Sequence, residues 1–506
     1  MPWLGKSGII DQNQHRFKPL KRRRPPPTVI QRLEILAFFL VLAITLMFVL
    51  IRPMTHLERV KHRGELVVAT RIGTTTFQPS GEGGSGFEHD LVKAFANHLG
   101  VKVRWVVPDR FEAILSLTGS GRVDLAAAGI SVTRERLGRV RFGPHYQQVT
   151  EELVYRNGAS RPESVEDLRG MRIAVVAGSS HEETLRRLAR QHPWLDWKSV
   201  PDVSPDELLR RVAEGKLELT VADSKELASV RRFFPELRVA MELSEPRFIA
   251  WAFPPGRDTS LLEATERFFE RLAANGRLQQ IRERHFGHVD VLDYPGLLTF
   301  MQRVRERLPE LEPLFREAGR HYGVDWRLLA AISYQESHWN PGAVSRTGVR
   351  GLMMLTRATA GQVGISDRTD PRSSVMGGTE YFLSLRRRLP EDIREPDRTW
   401  MALAAYNVGL GHLEDARRIT EAQGKDPDRW IDVMEHLPLL SQRQWYQDTR
   451  HGYARGWEPV QYVQNIRGFY DILSWFARPG RDGTPARPGR ERAKGAALLE
   501  ILPPTL

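Results

Sequence analysis

The hydrophobic positions follow two different periodicities along the chain. From "GELVVAT" to about residue 288, short β-type runs alternate with amphipathic helical segments such as "FEHDLVKAFANHLG", which places its apolar residues on one stripe. From "YPGLL" onward the apolar spacing is close to 3.6 residues and strand-like runs disappear. We therefore expect a multidomain protein, with a two-lobed α/β domain over residues 60–288 and an all-α domain over residues 289–477.

A separate hydrophobic run, "ILAFFLVLAITLMFVLI", occupies residues 35–51 and contains no charged residue. A helix of that length spans about 25 Å, slightly less than a bilayer core. The preceding "KPLKRRRPPP" would keep the N-terminus in the cytoplasm by the positive-inside rule. The run is predicted to be a transmembrane anchor or a signal sequence, with the rest of the chain exported. The following "RPMTHLERV" has no small-x-small cleavage site, which favours the anchor.

The composition narrows the classes of function. The formal net charge is +12, but residues 1–34, a basic tail, carry +6 of it, and residues 478–506 carry +3. Because only about +3 is left for the folded middle, we expect no nucleic-acid partner. Residues 478–506 are rich in Gly, Pro and Arg at their start and are predicted to be a disordered basic tail. There is no cysteine, so disulfides, thiolate metal sites and a cysteine nucleophile are excluded. No metal-ligand spacing or phosphate loop stands out, and no metal or cofactor is expected.

One charged residue falls on an apolar helical stripe. In "LLAAISYQESHWNP", Leu328, Ile332 and Glu336 lie four residues apart, and Asp325 is a suitable N-cap for their helix. The carboxylate at the helix end could reach into water, as most glutamates do. Alternatively, it is half-buried, its pKa is raised, and it acts as a general acid. The spacing alone leaves both interpretations open.

Three further segments bear on this choice: "ESHWNPGAVSRTGVRGLMMLTRATA", "ALAAYNVG" and "EPVQYVQNI", in this order. Together they resemble the family-1 lytic transglycosylase domain, which implies a lysozyme-like helical fold and peptidoglycan glycan strands as substrate. The resemblance implies that Glu336 is the catalytic acid and base. It also implies a substrate-binding set made of Ser337, Met354, Tyr406, Asn407 and Tyr462. Met354 departs from the pattern, because the family usually has glutamine there, and the missing amide would remove one hydrogen bond to the glycan.

The resemblance also implies a reaction. The β-1,4 bond between N-acetylmuramic acid and N-acetylglucosamine is broken without water, and a 1,6-anhydromuramoyl end is left. Hydrolytic glycosidases use two carboxylates that flank the bond. No second carboxylate belongs to the motifs here, although Glu458, close to Tyr462, stays open as a partner. Hydrolysis to reducing ends therefore remains an alternative at this point.

The α/β region resembles the periplasmic solute-binding proteins for amino acids in "GFEHDL", "GISVTRERLGRVRFGPHY", "VAGSS" and "VADSKEL". The resemblance implies that Arg136 binds a ligand carboxylate, Ser131 adds a hydroxyl and Asp223 meets the ligand's ammonium, with Phe77 as an apolar wall. A guanidinium and an acid would suit these two charges. Without the resemblance, Arg136 could belong to a solvated basic face and Asp223 could be a helix cap.

The order of the two regions resembles the membrane-bound lytic transglycosylase F family. This implies a lyase with a non-catalytic, regulatory first domain, which could bind an amino acid or a muropeptide. The alternative is a membrane-tethered receptor whose helical domain only binds peptidoglycan. The resemblance implies a location at the periplasmic face of the outer membrane, whereas residues 35–51 would instead anchor the chain in the inner membrane.

Overall fold

The computed structural model describes residues 36–43, 53–79, 84–289 and 294–476. The predicted tails, 1–34 and 478–506, lie outside these residues, as does most of the hydrophobic run 35–51, of which residues 36–43 are helical. Within the described ranges, no helix is both long enough and apolar enough to span a bilayer.

The first region alternates strands with helices, as its hydrophobic pattern predicts. Its strands are β1 (Glu65–Ala69), β2 (Lys102–Val106), β3 (Leu125–Ala126), β4 (Arg141–Val149), β5 (Glu151–Arg156), β6 (Ile173–Val176), β7 (Lys198–Val200), β8 (Leu219–Asp223), β9 (Leu237–Glu242) and β10 (Arg247–Phe253). Its helices are α1 (His56–Arg63), α2 (Phe87–Leu99), α3 (Phe111–Gly119), α4 (Arg134–Leu137), α5 (Ser180–Ala189), α6 (Pro205–Ala213), α7 (Ser224–Arg231), α8 (Ser260–Ala274) and α9 (Arg277–Phe286).

The strands form two five-stranded sheets, one for each lobe. The first has the order β2-β1-β3-β10-β4 and the second β7-β6-β8-β5-β9. The chain crosses between them twice, once at Thr150, between β4 and β5, and once between β9 and β10. In each sheet a parallel set is completed by antiparallel strands, and β10 returns to the first sheet beside β3 and β4. The two-lobed α/β prediction is confirmed.

Helix α6 shows why these segments fold as the pattern predicts. The side chain of Ser204 caps the helix by accepting a hydrogen bond from the backbone N–H of Glu207. Pro205 occupies the first turn, where its missing N–H costs nothing. Leu208, Leu209 and Val212 then share one buried stripe against the second sheet.

The second region is helical, which confirms the all-α prediction. Its helices are α10 (Tyr294–Glu306), α11 (Leu308–Tyr322), α12 (Trp326–Ser337), α13 (Arg357–Gln362), α14 (Pro371–Arg388), α15 (Asp397–Val408), α16 (Leu410–Ala422), α17 (Trp430–His436), α18 (Arg443–Tyr446) and α19 (Trp457–Phe476). Asp325 caps α12 as expected, since its carboxylate accepts from the N–H of Arg327 at 2.9 Å. Helix α12 lies in the core, and Leu328 and Ile332 are fully buried there.

Helix α19 packs against both regions of the chain. Near its C-terminal end, the ring of Trp475 stacks on Phe233 of the second lobe with centroids 4.4 Å apart. Asp471 pairs with Arg232 of the same lobe and lies 2.6 Å from His288, at the end of the α/β region. One helix therefore joins the core of the helical domain to the α/β domain.

Candidate active site

The carboxyl group of Glu336 is half-buried at the end of α12. The hydroxyl of Tyr462, on α19, donates a hydrogen bond to Glu336 Oε1 at 2.5 Å. Burial raises the pKa of Glu336 to about 7, while the hydrogen bond from Tyr462 opposes this rise. The side chain is therefore held inside the domain rather than free in solvent. It can be protonated or ionised near neutral pH, as a group that acts as acid and then as base requires.

Two tyrosines line the site beside this carboxyl. The rings of Tyr406 and Tyr462 are nearly parallel, at 15°, with centroids 6.5 Å apart. Tyr406 Oη donates to the backbone carbonyl of Met353 at 2.8 Å. Burial, together with the negative charge of Glu336, raises the pKa of both phenols well above its usual value. Both therefore remain neutral hydrogen-bond donors over the working range of pH.

Ser337 connects the end of α12 to the loop that follows it. Its hydroxyl donates to the carbonyl of Leu352 at 2.9 Å and to the carbonyl of Ser333 at 3.1 Å. Ser333, one turn earlier, donates to the same Leu352 carbonyl at 3.1 Å. From the sequence, Ser337 was predicted to contact the substrate, and Ser333 was not predicted at all. The i, i+4 spacing of the two serines is nevertheless a signal that they could share a partner.

The segment around Met354 is held in an unusual backbone conformation. Met354 has φ +46°, a left-handed backbone conformation that is uncommon for a residue other than glycine, and its side chain is half-buried. The preceding Met353 is buried, and its side chain packs so closely on Gly378 that a Cβ there would lie 2.5 Å from it. The backbone at the position of the usual glutamine is therefore fixed by packing, whatever side chain it carries.

Asn407, from the predicted substrate-binding set, and Glu458, the carboxylate left open as a partner, are the last two residues singled out from the sequence. Asn407 is exposed near the end of α15, one residue after Tyr406. Glu458 forms an ion pair with Arg455 at 3.1 Å. Among the described residues, burial and Tyr462 set the pKa of Glu336, and no second carboxylate contributes to it. The arrangement is that of one acid with neutral tyrosine neighbours.

Comparison with known proteins gives two family matches. Residues 66–288 match the bacterial extracellular solute-binding proteins, family 3, and residues 313–428 match the transglycosylase SLT domain. The chain is 51% identical to membrane-bound lytic murein transglycosylase F 1 of Alkalilimnicola ehrlichii, with 86% of this chain and 88% of that protein covered. It is 50% identical to membrane-bound lytic murein transglycosylase F of Ectopseudomonas mendocina, with 85% and 88% covered. The chain belongs to this family.

The family assignment confirms the resemblances drawn from the sequence. Each matched segment lies within one of the two regions that the motifs indicated, and the receptor without catalytic activity is not favoured. Glu336, Met354 and the Tyr406–Asn407 pair fall within the matched transglycosylase segment. Tyr462 lies beyond that segment, and helix packing brings it to Glu336.

In the α/β domain, Arg136 is buried and bound to the chain's own carboxylate. It is 1% exposed, whereas its neighbours Arg134 and Arg139 are exposed. Its Nε donates to Glu183 Oε1 at 2.9 Å across the two lobes. Its terminal N–H groups donate to the carbonyls of Ser131 and Gly178, both at 3.3 Å. The solvated-surface interpretation of Arg136 is wrong, since its guanidinium is buried and hydrogen-bonded inside the protein.

The other three residues predicted to bind a ligand are Ser131, Asp223 and Phe77, and they do not all lie together. Ser131 lies with Arg136, and its hydroxyl is 3.2 Å from that of Ser180 in the facing lobe. Asp223 Oδ1 lies 3.3 Å from His181 Nε2, and its side chain does not cap α7, which it precedes. Phe77 packs instead on Trp105 with ring centroids 5.1 Å apart. The structure brings Ser131 to Arg136, whereas Phe77 belongs to an aromatic cluster of its own lobe.

The cleft between the lobes is closed by ion pairs that the sequence did not reveal. Arg71 Nη1 lies 2.9 Å from Glu226 Oε1, and the N–H of Thr74 donates to Asp206 Oδ2 at 2.8 Å. The cavity that remains beside Arg71 has a volume of about 20 Å³, which is room for about one water molecule. A ligand of amino-acid size could enter only if the lobes opened. The sequence signal for Arg71 is weak, since it only follows the end of a strand.

Proposed function

We propose that the protein is a lytic transglycosylase acting on peptidoglycan, with Glu336 serving as acid and then as base. The single observation that carries the proposal is the half-buried Glu336 carboxyl, with its pKa near 7 and its hydrogen bond from Tyr462. The family and its transglycosylase domain support the substrate class. Within the described part of the chain, burial and Tyr462 shift the pKa of Glu336 and no other carboxylate does, which supports a reaction in which the sugar supplies the nucleophile.

The reaction uses the same carboxyl group twice. Protonated Glu336 donates to the glycosidic oxygen between N-acetylmuramic acid and N-acetylglucosamine, and the bond from that oxygen to C1 breaks. The Glu336 carboxylate then removes the proton of the muramoyl 6-hydroxyl, and its oxygen bonds to C1. The glutamate is again protonated, the product carries a 1,6-anhydro end, and no water is consumed. Tyr462 orients the carboxyl and stabilises its charged form between the two transfers.

Replacement of the proposed acid tests this mechanism. Glu336→Gln keeps the size of the side chain and removes the transferable proton, so release of anhydromuropeptides from purified sacculi should fall by about 10²–10⁴-fold. The exposed Glu391, changed to Gln, is the matched control and should leave the rate unchanged. Mass spectrometry separates the mechanisms, because an anhydro end is one water lighter than a reducing end. Unchanged release by Glu336→Gln, or reducing ends from the native chain, would contradict the proposal.

The α/β domain is proposed to regulate the catalytic domain. Arg136, Ser131 and Asp223 would take an amino acid or a muropeptide after the Arg136–Glu183 and Arg71–Glu226 pairs open. The contacts between the second lobe and α19 support a route to Tyr462. Glu183→Gln weakens the closed state, and we expect it to lower the concentration of muropeptide at which activity changes. If muropeptides alter neither the native rate nor that of Glu183→Gln, regulation by this cleft is excluded.

The membrane-bound family supports a location in the cell envelope, with the catalytic domain facing peptidoglycan on the periplasmic side. Two modes of attachment are compatible with it: peripheral association with the outer membrane, or an inner-membrane anchor through residues 35–51. Separation of the two membranes by density, followed by detection of the full chain, distinguishes them. An anchored chain remains with the inner membrane after a high-salt wash.

A further inference from the structure

Three potential metal ligands meet inside the second lobe of the α/β domain. Glu151 begins β5, Asp223 ends β8 and His181 lies in the first turn of α5. Each is at least nine-tenths buried: Glu151 is 0%, His181 4% and Asp223 8% exposed. One ligand atom from each lies within 4.8 Å of the other two. No sequence pattern indicates this cluster, because its members are far apart along the chain and share no short spacing.

The two carboxylates face each other across neighbouring strands. Glu151 and Asp223 are direct partners in the antiparallel pairing of β5 with β8. Like charges in directly opposite positions are unfavourable, and burial strengthens their repulsion. Arg247 compensates only in part, since its Nη1 donates to Glu151 Oε1 at 2.8 Å.

Two polar atoms of the cluster have no hydrogen-bond partner among the described residues. Glu151 Oε2 and His181 Nδ1 are both buried and unpaired. The remaining contact, His181 Nε2 to Asp223 Oδ1, is 3.3 Å, which is long for a hydrogen bond to a charged group. Unpaired buried atoms are rare in folded proteins, and the unpaired Glu151 Oε2 beside two further potential metal ligands indicates a missing binding partner.

We propose that Glu151, His181 and Asp223 bind a divalent transition-metal ion, with Zn²⁺ the best fit. Imidazole and carboxylate oxygens are its usual ligands, at about 2.0–2.2 Å. Two ligands of a tetrahedral ion at that distance are about 3.3 Å apart, which is the separation of His181 Nε2 from Asp223 Oδ1. A carboxylate oxygen of Glu151 belongs to the same group of ligand atoms, which all lie within 4.8 Å of one another. The proposal is independent of the lyase mechanism. With the ion bound, Asp223 would serve the metal instead of a ligand's ammonium, and Arg136 and Ser131 would remain for the ligand.

The surroundings suit an ion of this charge. Arg247 donates to the other oxygen of Glu151, as outer groups do for carboxylates that bind metals. It also donates to Thr184 Oγ1 at 2.7 Å, which fixes its position. The nearby Arg136 is already paired with Glu183. The two carboxylates and Arg247 sum to one negative charge, which a divalent cation reverses without leaving a carboxylate uncompensated.

Zinc alone is the probe in the first experiment. The full chain is stripped with a chelator and titrated with ZnCl₂ by calorimetry, and bound metal is counted by elemental analysis after gel filtration. We expect one ion per chain, and a loss of affinity of at least tenfold in His181→Gln. His192, on the same lobe and paired with Glu166 at 3.6 Å, supplies the matched control, His192→Gln, which should bind as the native chain does.

Thermal unfolding guards against a variant that has lost its fold. Zinc should raise the unfolding temperature of the native chain and of His192→Gln, but not that of His181→Gln or Asp223→Asn. Anomalous diffraction at the zinc edge would then place the ion. Absence of stoichiometric binding overturns the proposal, as does equal binding by the native chain and a folded His181→Gln.

Discussion

At the scale of single residues, the hydrogen bond between Tyr462 and Glu336 decides how the acid titrates. Burial alone would move the pKa of Glu336 further upward, and the phenol limits that rise by stabilising the carboxylate. Because the pKa of Tyr462 is raised well above 10, the phenol does not itself ionise in this range. The pair therefore sets the pH at which the proton is available for transfer.

Removal of the phenol hydroxyl should shift the pH profile in a known direction. The proposed acid must be protonated, so activity falls as pH rises through the pKa of Glu336. Tyr462→Phe removes a group that favours the charged form, so this alkaline limb should move upward by roughly one pH unit, equivalent to about 1.4 kcal/mol. Rates of anhydromuropeptide release between pH 5 and 9 measure the shift. A limb that stays in place, or moves downward, would show that Tyr462 does not stabilise the carboxylate.

The residue scale also shows what could be predicted without a structure. The four-residue spacing of Leu328, Ile332 and Glu336 placed the carboxylate on a buried stripe, and the ordered motifs supplied the reason to prefer catalysis. The spacing could not show that Tyr462, 126 residues later, donates to it. Nor could it show that the hydroxyl of Ser337 is used on the backbone of Leu352. Such contacts depend on packing between segments distant in sequence.

At the scale of elements, the loop between α12 and α13 is held by close approaches of its backbone. Gly351 has φ +84°, and a Cβ there would lie 1.9 Å from the carbonyl oxygen of Arg368. The next residue, Leu352, accepts from the serines of α12, and Met353 accepts from Tyr406. The position of this loop over the site thus depends on one glycine.

Gly351→Ala should therefore disturb both the fold and the rate. Left-handed geometry costs a non-glycine residue about 1–2 kcal/mol, and the clash with Arg368 adds to this. Gly348 is the control, because it has φ +80° but open space around its Cβ, so Gly348→Ala should show the conformational cost alone. Thermal unfolding and glycan cleavage measure the two effects. Equal losses in both variants would mean that the contact with Arg368 is unimportant.

The helices and strands were more predictable from the sequence than the contacts between them. The alternation of runs indicated both lobes and the all-α region, because each helix and strand carries its own period. The pairs that close the cleft were not predictable, since Arg71 and Glu226 lie 155 residues apart and meet only after both sheets form. The contacts of His181 with Asp223 and of Glu183 with Arg136 were not predictable either. Both residues lie in the first turn of α5, which begins at the end of the "VAGSS" turn.

For the whole molecule, α19 is the element that both domains share. Tyr462 faces the active site from its first half, and Asp471 faces the α/β domain from its second. Arg467, between them, is fully buried and pairs with Glu283 at 2.5 Å. Under the proposed regulation, a shift at one end of this helix would be passed to the other, and the α/β domain would act on the Tyr462–Glu336 pair without touching the glycan.

Arg232 offers the sharpest test of this connection. Arg232→Ala removes the ion-pair partner of buried Asp471 and leaves it with His288 and the charge of Arg467, and breaking a buried ion pair in this way costs about 3–5 kcal/mol. The adjacent Arg231 is exposed, so Arg231→Ala should change stability by less than about 0.5 kcal/mol. If α19 transmits the change, Arg232→Ala also alters the pH profile of glycan cleavage, which a purely local loss of stability would leave in place. Calorimetry measures the loss of stability in both variants, and the pH profile of cleavage is then measured below their unfolding temperatures. Matching pH profiles of the two variants would exclude transmission through α19.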